Sequence, residues 1–197
     1  MKTLHVIIIK AILAISISAG AQVTDIAVIN PELTERPWLD QSVHLIHGFE
    51  IRQVFGERIT AERHSNLGPI TTLAYLSPQQ LLEGLDTLET TPERKEELRN
   101  KYSDEAPGGA LQIFISRPTE SMANFKWYFV VIRDRDDREK IMEIDLSYQA
   151  AQLPFANGWW NYTTVLLPEA ITLPFYVYLN NRQSQHLSDY KFMISSH

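Results

Sequence analysis

Short runs of β-branched and aromatic residues recur along this chain, each about 5 to 9 residues long and bounded by Pro, Gly, Asn or charged turns. They fall near 22–29, 42–51, 69–76, 110–117, 125–133, 140–148, 159–167, 173–180 and 189–195. So many short strands with polar turns between them predict a mainly β fold: an antiparallel β-sandwich of jelly-roll or immunoglobulin-like kind, with residues 110–195 as one contiguous antiparallel set. The run at 125–133 carries Phe125, Trp127, Phe129 and Val131 on one face. Its other face, Tyr128, Val130 and Ile132, is also apolar, so this strand is expected to be central and covered on both sides.

One helical insert interrupts the strands, at about 77–102. Ser77 stands as an N-cap, Pro78 at the first helical position and Gln80 at the third, which is a capping box. Leu81, Leu82, Leu85 and Leu88 then recur at helical spacing and need a surface to bury them. A second helix starts at Thr91-Pro92 with few apolar residues, Leu98 and Tyr102 among them, and reads as mostly solvated. The segment 103–109, which ends in Pro107-Gly108-Gly109, reads as the loop that returns the chain to the sheet.

The first residues speak to destination. Lys2, an apolar run from Ile7 to Ile17 broken by Lys10, and the small residues Ala19, Gly20 and Ala21 have the order of a secretory signal peptide. Residues 1–21 are therefore expected to be a removable leader, with 22–197 a single domain that is secreted or periplasmic. Lys and Arg number 18 against 24 Asp and Glu, a net charge of −6, and loss of Lys2 and Lys10 takes the remainder to −8. That field, with no basic stripe, argues against nucleic acid as a partner. The chain has no cysteine, which excludes a thiol nucleophile and a cysteine-ligated metal. No second apolar run is long enough to span a membrane.

Aromatic residues concentrate between 159 and 180. If 159–167 and 173–180 form a hairpin through Pro168–Thr172, one face is aliphatic. The other carries Trp160, Tyr162, Tyr176 and Tyr178, with Asn161 and Asn180 nearby. Rings with polar tips suit stacking on sugars, so these four are the candidate ligand-binding residues; a second buried face is the competing reading.

Other chemistry is weaker. His44 and His47 are three apart in a strand and face opposite sides, which speaks against a shared metal, even with His64 or His186 added. Glu143 and Asp145 lie on one strand face and could serve as an acid and base in glycoside hydrolysis, yet half-buried strands commonly alternate this way. The acids in 133–138 lack the glycine and distal Glu of a calcium loop and read as a solvated hairpin turn. No phosphate loop, nucleophile elbow or dinucleotide fingerprint occurs. These residues give no reason to expect a cofactor. The chain thus reads as a non-catalytic binding module for a carbohydrate or an envelope protein. A hydrolase and a structural envelope component are the alternatives.

Overall fold

A computed structural model describes residues 43–56, 70–155, 158–183 and 190–197. Ten strands and two helices follow one another in it. They are β1 (Val43–Ile46), β2 (Phe49–Phe55), β3 (Ile70–Leu76), α1 (Pro78–Thr87), α2 (Pro92–Glu105), β4 (Ala110–Arg117), β5 (Tyr128–Arg133), β6 (Lys140–Asp145), β7 (Gln152–Phe155), β8 (Gly158–Leu166), β9 (Phe175–Asn181) and β10 (Tyr190–Ser196). Every ladder is antiparallel, and the strands form two sheets, β1-β2-β10-β9-β5-β6 and β3-β4-β8-β7. The mainly β, antiparallel expectation with a short helical insert holds.

The sheets meet through one core. Because strand side chains alternate, Tyr128, Val130, Ile132, Phe175, Val177, Leu179, Phe192 and Ile194 point to one side of the six-stranded sheet, and all are buried. Facing them from the four-stranded sheet are Tyr75, Leu73, Leu111, Ile113, Ile115 and Val165. Tyr75 meets Phe175 edge to face, with ring centroids 5.3 Å apart. A cation crosses the same layer: Arg117 lies over the rings of Tyr128 and Tyr190 at 5.7 and 5.5 Å. Its guanidinium donates to the Tyr128 hydroxyl, to Thr71 Oγ1 and to the Ser116 carbonyl. Buried charge is tolerated where its donors find acceptors.

The helices behave as their sequence predicts. Ser77 and Gln80 form the reciprocal capping box, and the Gln80 side chain also reaches the carbonyl of His47 at 2.8 Å. Leu81 and Leu85 bury against Leu98, Tyr102 and Ala106, and the pair of helices closes over Ala110, with Leu76 and Leu166 beside it. Those three sheet residues are cross-strand neighbours on the face that also carries Trp160 and Tyr162. The helices therefore cover one end of that face.

Four strand expectations need correction. The run at 42–51 is two strands, because His47 and Gly48 both take positive φ and turn the chain back on itself. Residues 125–127 are a 3-10 turn: the Asn124 side chain accepts the Lys126 N–H, and the strand begins only at Tyr128. Its inward row is therefore Tyr128, Val130 and Ile132. Phe125 is buried from the turn, while Phe129 and Val131 face outward. Residues 110–195 are divided between two sheets rather than one set. A short strand at Gln152–Phe155, which the sequence did not signal, pairs with β8. The run at 22–29 and the leader at 1–21 lie outside the described residues.

Candidate functional site

The expected aromatic hairpin does not exist. β8 pairs with β4 and β7, whereas β9 pairs with β5 and β10, so the two strands enter different sheets. Trp160 and Tyr162 lie on the four-stranded sheet: Trp160 stacks on Phe114 at 6.0 Å, and Tyr162 is 7% exposed. Burial pushes the Tyr162 hydroxyl up, against neighbouring Thr164 and Gln112, which pull it down. Asn161, fully buried, donates to the carbonyls of Ala123 and Gln149. Tyr162 is buried, while Trp160 is half-buried, as Tyr176 and Tyr178 are. The four candidates thus split into two pairs, Trp160 with Tyr162 on β8 and Tyr176 with Tyr178 on β9.

Those two tyrosines sit on the outward face of the six-stranded sheet, where register places two rows side by side. Phe55, Lys191, Tyr178, Val131 and Glu143 are successive cross-strand partners, as are Arg52, Met193, Tyr176 and Arg133. Phe55 is 57% exposed. Within the rows, cations lie over rings. The Lys191 ammonium is 4.5 Å from the Tyr176 centroid and 5.2 Å from that of Tyr178, and the Arg133 guanidinium is 5.5 Å from Tyr178.

Asp137, from the turn between β5 and β6, folds over this patch. Its carboxylate accepts the Tyr178 hydroxyl at 2.6 and 2.7 Å and the Lys191 ammonium at 2.6 Å, and its φ is +59°. Burial by itself would raise the Asp137 carboxyl. Hydrogen bonds from Lys191 and Tyr178, with the charges of Lys191 and Arg133, outweigh it and hold the group below the usual carboxylate range. Burial and the bond to Asp137 push the Tyr178 hydroxyl up. For Lys191, burial acts downward but is overcome by Asp137 and Tyr178, which raise the ammonium.

Sequence reasoning singled out Tyr176 and Tyr178 but not Asp137, Lys191 and Arg133, which the structure gathers beside them. Asp137 and Arg133 belonged to a run that looks like any solvated turn. Lys191 alternates with apolar residues as an outward lysine would, and 54 positions separate it from Asp137. Only a hydrogen-bonded register brings them together. Glu143 and Asp145 do share the outward face of β6, but each is held by a cation, Lys140 for one and Arg182 for the other. His44 is buried and His47 occupies the β1–β2 turn. Among the described residues no group of three His, Asp or Glu gathers in metal-binding geometry, and no helix is long and apolar enough to cross a membrane.

Comparison with protein-family models, with curated proteins and with solved structures gives no match to this chain.

Proposed function

We propose that this chain is a secreted or periplasmic, non-catalytic binding module whose working surface is the outward face of the six-stranded sheet, and that its ligand is a carbohydrate. The observation that carries the reading is the Tyr176–Tyr178 pair. Two rings stand on the outward face among fixed hydrogen-bonding groups, with the Tyr178 hydroxyl anchored by Asp137 and Lys191. The half-exposed rings supply apolar contact area beside the cations that lie over them, and immobilised polar groups supply hydroxyl contacts at low entropic cost. The exported location rests on the order of charge, apolar run and small residues over 1–21.

Binding of labelled glycans to the purified protein tests the site. Tyr176→Ala with Tyr178→Ala should abolish retention, and Trp160→Ala, on the other sheet, should leave it intact. Retention that survives loss of both tyrosines would remove this face from consideration. For location, mass analysis of the exported protein should give an N-terminus at Gln22.

A further inference from the structure

We infer that the glycan is anionic, bearing carboxylate or sulfate groups, and that Arg133 is the residue that grips it; this rests on the carbohydrate reading above. Arg133 is the cross-strand partner of Tyr176 and lies over the ring of Tyr178. Its one hydrogen bond among the described residues is a long one, 3.4 Å to the carbonyl of Asp137. The other donors of the planar fork have no protein acceptor there. A guanidinium stacked on a ring, with its donors unused, matches the bidentate geometry of a carboxylate or sulfate.

Charge on this face points the same way. Arg52 is paired with Glu50, Lys140 with Glu143 and Arg182 with Asp145, one carboxylate to each cation. Arg133 is the exception: the nearby Asp137 carboxylate bonds the Lys191 ammonium, while Arg133 reaches only the Asp137 backbone carbonyl. Beside the tyrosine pair Lys191 takes the Asp137 carboxylate, and among the described residues Arg133 has no carboxylate ion-paired to it, on a chain of net charge −6. An anion meets attraction here and repulsion from the chain as a whole, which favours this spot over others. A neutral sugar would gain the stacking but leave the fork without a charged acceptor.

The test titrates the full chain with three probes: oligogalacturonate, a heparin-derived sulfated oligosaccharide and neutral maltohexaose. A charged probe should bind tighter than the neutral one, and its affinity should fall as salt is raised from about 0.05 to about 0.5 M. Arg133→Gln should weaken it about tenfold or more, Arg133→Lys should lose part of that, and Lys101→Gln, an equal charge change on α2, should alter nothing. Circular dichroism of Arg133→Gln should match that of the parent. Equal affinity for neutral and charged probes, lost on removing the two tyrosines, overturns the anionic ligand and leaves the carbohydrate reading standing. Charged-probe binding that ignores Arg133→Gln also overturns the inference, and binding to none of the three overturns both.

Discussion

Tyr178 donates its hydroxyl to the carboxylate of Asp137, a residue 41 positions earlier in the chain that sits in the left-handed region at φ +59°. Asp tolerates that conformation better than most residues, and the contact, with that of Lys191, ties the turn to the sheet. Removal of the hydroxyl in Tyr178→Phe should cost about 1–2 kcal/mol, the range of a hydrogen bond to a charged group at a half-exposed site. Urea denaturation measures it. Asp137→Asn, which keeps an acceptor and the left-handed preference, should cost less than Asp137→Ala.

The same cluster sets a pH dependence at both extremes. The folded Asp137 carboxyl is lowered from its ordinary value of 3.8, so its contribution is complete above that value and disappears as pH falls through the lower, folded one. Tyr178 is raised from 10.0 and Lys191 from 10.5, so their contributions are complete below those values and are lost as pH rises beyond them. Melting temperature should therefore hold steady across neutral pH and fall at each end. In Asp137→Asn the acid limb should flatten.

Leu85 is 2% exposed and belongs to the cluster that holds Leu81, Leu98 and Ala110. Leu85→Ala should cost about 2–5 kcal/mol through lost transfer energy and the cavity left behind. Chemical denaturation followed by far-UV circular dichroism gives the value.

Gly109 has φ +86°, and a Cβ there would come within 2.2 Å of the Leu76 carbonyl. Neither the strain nor the collision can relax, because Leu167 N donates to the Gly109 carbonyl and Gly108 N to the Leu167 carbonyl, both at 2.9 Å. Gly109→Ala should destabilise by at least about 2 kcal/mol, measured by urea titration.

Arg117 spans from Thr71 to Tyr128 through its rigid fork. A lysine cannot reach both, so Arg117→Lys should cost about 1–3 kcal/mol despite the conserved charge, read as a shift of the urea midpoint.

Strand positions were largely legible in the sequence because β-branched and aromatic runs against polar turns report local preference and burial together. The capping box at Ser77–Gln80 was legible for the same reason: its partners lie three residues apart. Partition of strands between sheets was not. β8 and β9 each alternate in a way that suits a mutual hairpin, and alternation says which residues share a face, never which strand lies alongside. Asn124 showed why 125–127 misled: one side-chain cap diverts three residues from a strand whose apolar pattern continues across them. That partition divided the candidate aromatic set between the two sheets, and Asp137, Lys191 and Arg133 entered only through contacts between strands remote in sequence.

The outward face of the six-stranded sheet draws on β2, β5, β9 and β10, which run from residue 49 to residue 196. Its rows follow from backbone pairing across all of them, so no excised fragment or β-hairpin peptide would reproduce the surface. Ligand capture by this protein would then be all-or-none with folding. Heating or denaturant should extinguish it in step with the sheet, and a misregistered copy should be silent rather than weak.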